Sequence, residues 1–355
     1  ISTADYAWWS AMGWDQKVLL DGEGSAKSEI FLYDGLTTKK ISPTTYPVWD
    51  AMWLDQDNIL LAANPLDQNY WIYSEAEAFY IYSNNTAKKI TNNTYRYWYC
   101  NIPLAYNQTN IFSRQLLLDG RTSDNTRSAI YLYKNGTTTL ISPTTYPRWD
   151  ADWDNKNNKG RIILMANPPD LSSAQYAYSG EAIFLYKDTG AVKITTSEYK
   201  YWQREPDPHG YAPSEQLLMT AGNADYESAA VYLYKGGTTT KISPAGYDSW
   251  DTQWDDIGQI VMTGMSYYPN YKSDIYLYRG TASQKISTAD YPLWWCHDFG
   301  MKGKHLLRGG QISFTNSSIY LYNLITTSKI SPADYAFWYS DWHSDSIVIL
   351  IGNTI

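Results

Sequence analysis

The sequence predicts an all-β protein, a single β-propeller built from four-stranded antiparallel blades. Three observations carry this prediction. A motif of fixed internal spacing recurs along the chain, four short strand-like segments follow each complete copy, and no segment shows helical periodicity. Repeats of about 40 to 50 residues are typical of propellers and solenoids, and four strands per repeat favour the propeller.

The recurring motif is Ile-[Ser/Thr]-x-x-x-Tyr-x-x-Trp, and it occurs eight times. The repeats start at Ile1, Ile41, Ile90, Ile141, Ile194, Ile242, Ile286 and Ile330. The Tyr/Trp pairs are Tyr6/Trp9, Tyr46/Trp49, Tyr95/Trp98, Tyr146/Trp149, Tyr199/Trp202, Tyr247/Trp250, Tyr291/Trp294 and Tyr335/Trp338. Because the blades of a propeller share one core, we predict a single domain over residues 1–355.

Each repeat divides into four predicted strands, A to D. Strand A carries the repeat Trp and, in several copies, a second Trp four residues later on the same face, as in Trp49 and Trp53. A buried apolar strand B follows, such as residues 59–61. Strand C alternates aliphatic and aromatic residues, as in 130–133, and the Thr-rich strand D suits an exposed outer edge.

The strand count is uneven, with eight A/B pairs and seven C/D pairs. The chain opens at Ile1, at the end of a strand D and without an initiator Met, so we expect a processed product. Eight blades, the last holding only residues 330–355, are the favoured interpretation. Seven blades with a terminal hairpin that pairs with another molecule are the alternative. The unpaired strand edge predicts a protein partner or self-association through residues 330–355.

The strand C–turn–strand D segments carry a family resemblance. Glu29-Ile-Phe-Leu-Tyr-Asp-Gly35 and Ser273-Asp-Ile-Tyr-Leu-Tyr278 resemble the repeats of exported TolB-like (PD40-type) propeller proteins. The resemblance covers this part of all seven complete copies and is weaker in strand A. There the family carries Trp-Ser-Pro-Asp-Gly, and this chain has Trp149-Asp-Ala-Asp-Trp153. The resemblance implies a propeller, an extracytoplasmic setting and a binding or assembly platform without catalytic residues.

Composition restricts the class of partner. The net charge is -8 with 18% charged residues, so the chain has no basic field that would attract nucleic acid. No stretch approaches the ~18 apolar residues of a membrane-spanning helix. The chain has 34 Tyr and 16 Trp against 28 Lys and Arg, a composition that indicates a secreted or cell-surface protein.

The candidate binding surface is aromatic and lies in the connections between strands B and C. In a propeller these connections emerge on the same face as the D-to-A connections. Aromatic residues are enriched in interface cores, and packing does not require these irregular ones. The candidate binding residues are Tyr70, Trp71, Tyr73, Tyr176, Tyr178, Tyr267, Tyr268 and Tyr271. The repeat Tyr/Trp pairs are interpreted as packing residues.

Metal-binding and catalytic residues are not predicted. Cys100 and Cys296 occupy equivalent positions on separate blades, which favours small buried residues over a disulfide. In Cys296-His297-Asp298, adjacent strand residues point to opposite faces and do not suit one metal ion. Asp50, Asp150 and Asp251 follow a repeat Trp and could form a cation-attracting ring. We favour the interpretation that each caps a turn or accepts hydrogen bonds from a neighbouring blade.

The predicted function is therefore non-enzymatic. Common catalytic motifs are absent from the sequence, and we expect no cofactor. We predict an extracellular structural, assembly or protein-interaction module, with a subunit of a surface filament, sheath or layer as one form. The alternative is a lectin-like propeller whose aromatic loop face stacks on glycan. A polysaccharide-degrading enzyme is a third hypothesis, for which the sequence lacks a clustered set of acid and base residues.

Overall fold

The structure is a computed structural model. It describes residues 6–24, 27–64, 75–101, 115–153, 161–167, 179–187, 190–205, 211–213, 215–223, 228–267, 269, 271–298, 301–311, 316–332, 335, 337–344 and 347–353. The chain forms two compact units, Ile1–Ala177 with Phe184–Val192 and Tyr178–Ile183 with Lys193–Ile355. The single domain over residues 1–355 stays a prediction.

The described residues are organised as consecutive antiparallel sheets, as the repeats predict. The strands of sheets one to four are β1 (Trp8–Trp14), β2 (Lys17–Glu23), β3 (Ser28–Tyr33), β4 (Thr38–Lys40), β5 (Trp49–Asp55), β6 (Asn58–Ala63), β7 (Ala78–Ser83), β8 (Thr86–Lys89), β9 (Tyr97–Asn101), β10 (Gln115–Arg121), β11 (Ser128–Lys134), β12 (Thr137–Leu140), β13 (Trp149–Trp153), β14 (Ile162–Ala166), β16 (Ala182–Lys187) and β17 (Gly190–Lys193).

Sheets five to eight follow the same plan. Their strands are β15 (Ser179–Gly180), β18 (Tyr201–Arg204), β19 (Leu217–Gly222), β20 (Ala230–Lys235), β21 (Thr238–Lys241), β22 (Ser249–Trp254), β23 (Ile260–Ser266), β24 (Lys272–Tyr278), β25 (Ser283–Lys285), β26 (Leu293–Asp298), β27 (His305–Gly310), β28 (Ser317–Tyr322), β29 (Thr327–Lys329), β30 (Phe337–Ser344) and β31 (Ile347–Asn353). The two-residue strand β15 joins sheet five as a fifth strand beside β18.

These sheets are propeller blades, and we number them one to eight in chain order. Each complete blade is an antiparallel meander in the order A-B-C-D, for example β5-β6-β7-β8. Blade eight, as described, contains β30 and β31 alone. The all-β fold class and the incomplete last blade are thus confirmed. The described residues form no helix with the length and apolarity that a membrane crossing needs.

Burial follows the predicted strand roles. Strand B is the most buried element of a blade, as in β6, where every residue after Asn58 is buried. Trp49 and Trp53 are both buried on one face of β5, as their spacing predicts. The strand D residues are largely exposed, which protects these outer edges with Thr and Lys side chains. Cys100 is buried as expected, whereas Cys296 is partly exposed.

The Tyr/Trp pair of each motif is a packing element. In the second copy, the Trp49 indole N–H donates to the Tyr46 carbonyl at 3.0 Å, and the two rings meet edge to face with centroids 5.8 Å apart. The same indole contacts the strand C residue Tyr80 of its own blade. Because Trp49 is only 2 % exposed, this geometry supports the interpretation of packing over ligand binding.

The aromatic pair needs a small residue on strand B. In blade three, a Cβ atom built on Gly120 would lie 2.7 Å from the Tyr95 ring and 2.9 Å from Trp98. Gly264 and Gly309 have equally close contacts with the Tyr and Trp of their own copies. The missing side chain therefore leaves the space that the aromatic rings fill.

Successive blades are also joined by hydrogen bonds to the repeat Trp backbone. The Ser28 hydroxyl, at the start of strand C in blade one, donates to the Trp49 carbonyl and accepts from the Trp49 N–H, both at 2.6 Å. Ser128 and Ser273 make the same pair of bonds to Trp149 and Trp294. Blade two uses backbone groups instead, through the Ala76–Trp98 bridge.

Each core cluster combines two consecutive blades of one unit. Leu19 of blade one packs with Trp49 of blade two, and Leu60 of blade two packs with Trp98 of blade three. In the second unit, Leu218 packs with Trp250. Val261 with Trp294 and Leu306 with Trp338 continue this contact along the chain. A strand B aliphatic residue thus meets the Trp-bearing face of the following blade.

Substitution of Gly120 by Ala tests the aromatic packing. We expect a loss of roughly 1–3 kcal/mol in the free energy of unfolding, because the added methyl group overlaps Tyr95 and Trp98. Gly13→Ala is the matched control, since its new Cβ would meet no atom closer than 4.0 Å. Urea denaturation of both variants checks the prediction, and equal stabilities would contradict it.

Candidate protein-interaction surface

Two of the predicted aromatic binding residues lie in the described residues. Tyr267 and Tyr271 are 53 and 46 % exposed. The Tyr267 hydroxyl shares a hydrogen bond of 2.8 Å with the Ser249 hydroxyl, and its backbone N–H donates to the Asp248 carboxylate. The other candidates, Tyr70, Trp71, Tyr73, Tyr176, Tyr178 and Tyr268, lie outside the described residues. The aromatic loop site therefore stays a prediction.

Blade eight presents an exposed apolar face. Burial alternates along both strands, so that exposed residues of β30 and β31 alternate with buried or partly buried ones. The inner face packs on blade seven, where Trp338 joins Leu306 and Ile319. The outer face carries Phe337, Tyr339, Ile347, Ile349 and Ile351, which are 43, 47, 52, 48 and 51 % exposed. We call these five residues the outer face of blade eight.

The same positions are buried in the other blades. Register places Ile349 opposite Asp341, three residues after Trp338, and Leu60 stands opposite Met52 at the equivalent position of blade two. Leu60 is fully buried in the cluster that contains Trp98 of the next blade. Ile351 is likewise equivalent to Ala62, which is 2 % exposed. The outer face of blade eight thus has the composition of a blade-to-blade contact.

The edge of blade eight is also open. Within the described residues, β31 pairs with β30 alone, whereas the equivalent β6 pairs with strands on both sides. An open strand edge presents backbone donors and acceptors to which another chain can add a strand. Edge and outer face together form one surface at the end of the described chain.

A buried cation lies beneath this surface. The Arg308 guanidinium lies 3.9 Å from the centre of the Phe337 ring and 5.4 Å from that of Trp295. Arg308 is 9 % exposed, and burial lowers its pKa. Its Nε lacks a hydrogen-bond partner within the described residues. Cation–π contacts with the two rings therefore hold Phe337 at the start of β30.

Strand B of two other blades carries an acid where blade seven has Arg308. Asp21 and Asp119 stand opposite the residue that follows the repeat Trp, as Arg308 does. Burial, with the charges of Glu23 and Asp50, raises the pKa of Asp21 to about 8. Burial raises the pKa of Asp119 to about 7, although Arg121 lies 2.6 Å away. In the sequence, each of these acids is followed by Gly, directly after the apolar run that predicts strand B.

The Asp residues that follow a repeat Trp act locally. Asp50 and Asp150 each accept a hydrogen bond of 2.7 Å from the next backbone N–H. Burial raises the pKa of both carboxyl groups. Because Asp50 and Asp150 lie inside β5 and β13, these bonds are made within a strand, and the predicted turn caps are wrong for both residues. Among the described residues, no group of three or more His, Cys, Asp or Glu is placed to hold a metal ion.

A second buried polar pair lies between blades six and seven. His305 and Asp255 are both fully buried, with Nε2 and Oδ2 3.5 Å apart. The other Asp255 oxygen accepts hydrogen bonds from the Ile257 and Gln259 backbone N–H groups. Asp255 therefore orders the turn after β22, and we assign the pair a structural role.

The chain was compared with protein families, curated sequences and solved structures. No known protein family matches the chain, and no curated protein sequence matches it. Similar solved structures include the β-propeller domain of the Trilobed protease from Pyrococcus furiosus, at 13% identity and a TM-score of 0.32, covering 93% of this chain and 99% of that one. Another is an acylaminoacyl peptidase from Pyrococcus horikoshii, at 15% identity and a TM-score of 0.32.

These likenesses concern architecture alone. This chain covers 57% of the acylaminoacyl peptidase, while 97% of this chain is aligned. A putative TolB from Agrobacterium tumefaciens is also similar, at 12% identity and a TM-score of 0.26, covering 88% of this chain and 90% of that one. Membership of the exported TolB-like family stays a prediction. The chain is a β-propeller protein by its sheet order and blade packing.

The raised pKa of Asp21 predicts a pH-dependent stability. Its folded-state pKa of about 8 exceeds the ordinary aspartate pKa of 3.8, so folding favours the protonated acid and stability falls as the pH rises from about 4 to 8. We expect Asp21→Asn to match the wild type near pH 4 and to exceed it by ~1–3 kcal/mol at pH 9.

Urea denaturation at several pH values between 4 and 9 measures this difference. Asp57→Asn is the matched control, because the Asp57 side chain is 64% exposed. A constant difference between Asp21→Asn and the wild type across this range would contradict the assignment.

Proposed function

We propose that this chain is a non-enzymatic protein-interaction module that associates with further copies through blade eight. The observation that carries the proposal is the outer face of blade eight, where Ile347, Ile349 and Ile351 are each about half exposed. Asp341 and His343 are exposed on the same face of β30, and an exposed apolar patch bordered by polar residues is typical of an interaction site. The open edge of β31 supports the same proposal, because it permits strand addition.

The proposed setting is extracellular, at the cell surface or in a secreted assembly such as a filament, sheath or layer. The Tyr- and Trp-rich, Lys-poor composition supports export. The sequence has none of the common catalytic motifs, which favours an assembly role over an enzyme. Nucleic acid is disfavoured as a partner by the net charge of -8.

Substitution of Ile349 by Lys tests self-association. The full chain is expected to form species larger than a monomer, with an apparent mass that rises with concentration. Ile349→Lys is expected to weaken association at least about 100-fold, because docking would remove an ammonium group from water and lose the apolar contact of Ile349. Light scattering after size exclusion and sedimentation velocity give the masses.

Ile325→Lys is the control, since Ile325 is 79% exposed in the turn between β28 and β29 and its replacement leaves blade eight intact. A native chain that stays monomeric at high concentration would overturn the proposal. Equal association of Ile349→Lys and the wild type would also overturn it.

A carbohydrate-binding propeller is the second candidate function. The specific observation is that Tyr267 and Tyr271 flank one B-to-C connection with half-exposed rings, as stacking on sugar requires. We expect a glycan array to show binding that Tyr271→Ala reduces at least tenfold and that Tyr211→Ala leaves unchanged. A blank array would remove this candidate.

A further inference from the structure

Blade seven carries a polar cavity of about 530 Å³. It is lined by residues of the second unit, from the D-to-A connection before β26, the B-to-C connection before β28, and strands β28 and β29. The lining includes Thr288, Asp290, Tyr291, Asn316, Tyr320 and Lys329. Small-molecule sites have volumes of ~300–1,000 Å³, so the cavity has the size of a site for a small ligand.

In blade six, the equivalent place is filled by a cluster of opposite charges. The Asp274 carboxylate on strand C lies 2.8 Å from the Lys272 ammonium group and 2.6 Å from that of Lys285. The Tyr247 hydroxyl, from the preceding D-to-A connection, also donates to Asp274. Blade one has the same arrangement around Glu29. The charged groups of blades one and six therefore satisfy one another.

Blade seven replaces this cluster with neutral groups. By strand register, Ser318 stands where blade six has Asp274, and Asn316 stands where it has Lys272. The Tyr of the D-to-A connection is retained, and the Tyr291 hydroxyl shares a hydrogen bond of 3.0 Å with the Ser318 hydroxyl. Hydroxyl and amide groups thus take the place of an ion cluster, and their shorter side chains account for the space that the cavity occupies.

Asp290 is oriented in the lining by two hydroxyl groups. The Thr288 hydroxyl donates to its Oδ2 at 2.7 Å, and the Tyr320 hydroxyl donates to the same oxygen at 2.9 Å. Oδ1 accepts no hydrogen bond from the described residues, and the residue is exposed. A fixed carboxylate oxygen is therefore available to a ligand that donates hydrogen bonds.

The cavity lining also contains hydrogen-bond donors. Lys329 carries an ammonium group, and Asn316 carries an amide, whose oxygen is buried without a donor in the described part of the chain. The charges of Asp290 and Lys329 balance, which favours a ligand without net charge. A hydroxyl group both donates and accepts, so a polyhydroxy compound can bond to both kinds of group in this lining.

The cavity lies close to an exposed tyrosine of blade six. Ser273 donates its backbone N–H to the Pro292 carbonyl at 2.9 Å. Pro292 follows the cavity residue Tyr291, and Ser273 lies two residues after Tyr271, which is 46 % exposed. Two residues span at most ~7 Å, so Tyr271 borders the same D-to-A connection. Sugars present apolar ring faces and hydroxyl edges, which suit an aromatic ring beside hydrogen-bonding groups.

We propose that the cavity of blade seven binds a neutral sugar, whose hydroxyl groups donate to Asp290 and accept from Lys329. Tyr271 stacks on the adjoining unit of a longer glycan. This inference rests on the carbohydrate-binding candidate, for which it names the hydrogen-bonding site, and it does not depend on self-association. An acidic sugar is disfavoured, because its carboxylate would meet that of Asp290.

Saturation-transfer NMR with monosaccharides tests the site. The probes are glucose, galactose, mannose and N-acetylglucosamine, with glucuronate as the anionic counterpart of glucose. The full chain is expected to bind at least one neutral sugar. Asp290→Ala should weaken that binding at least about tenfold, because a hydrogen bond to a charged group is lost. Glu198→Ala is the matched control, since Glu198 also precedes a repeat Tyr and accepts from a strand C Tyr, but in blade five.

A second variant closes the cavity instead of removing a contact. Asn316→Lys combined with Ser318→Asp rebuilds the ion cluster of blade six around the retained Lys329 and Tyr291. We expect this variant to melt no lower than the wild type and to bind the sugar at least about tenfold more weakly. Wild-type affinity in this variant or in Asp290→Ala would overturn the inference, and Asp290→Ala alone decides if the double variant does not fold.

The outcomes separate this inference from the carbohydrate-binding candidate. If Tyr271→Ala reduces glycan binding on the array while Asp290→Ala leaves it unchanged, the candidate stands and the cavity inference is wrong. If the wild type binds none of the probes and no arrayed glycan, both fail. Tighter binding of glucuronate than of glucose would overturn the assignment of a neutral ligand.

Discussion

The repeat Trp, fixed between its own Tyr and the strand B of its own blade, is the interaction on which the described structure depends. Its indole N–H satisfies the Tyr carbonyl, its ring covers a Gly or Ala of strand B, and its backbone bonds to the preceding blade. One side chain therefore orders a blade internally and also presents a rigid apolar surface to the blade before it. Large, fully buried aromatic residues contribute most to such packing.

Repetition of an asymmetric contact has a structural consequence at the chain ends. Within each unit, a strand B aliphatic residue packs with the repeat Trp of the following blade, while Trp9 is only partly buried and Ile349 is about half exposed. The apolar character of Ile347, Ile349 and Ile351 is then explained without a dedicated ligand site. Asp21, Asp119 and Arg308 lie on strand B. Protonation is favoured at Asp21, Arg121 pairs with Asp119, and cation–π contacts stabilise the Arg308 guanidinium.

Most of the fold could be predicted from the sequence because each blade repeats its local signals. Trp spacing in β5 and the apolar run of β6 define both strands, and the uneven strand count predicts the two-stranded blade eight. The face of each blade that meets the next blade could not be predicted, since strand alternation alone does not show which side of a repeat Trp contacts a neighbour. The Ser28 bonds to Trp49 join residues 21 apart, and no local pattern indicates them. The site residues Tyr267 and Tyr271 are exposed, but exposure does not identify a ligand.

Electron cryomicroscopy of the full chain at associating concentrations tests the central claim most directly. The account predicts assemblies in which the outer face of blade eight packs on another copy, with Ile349 buried in the contact. Separate particles in which Ile349 remains exposed to solvent would contradict it.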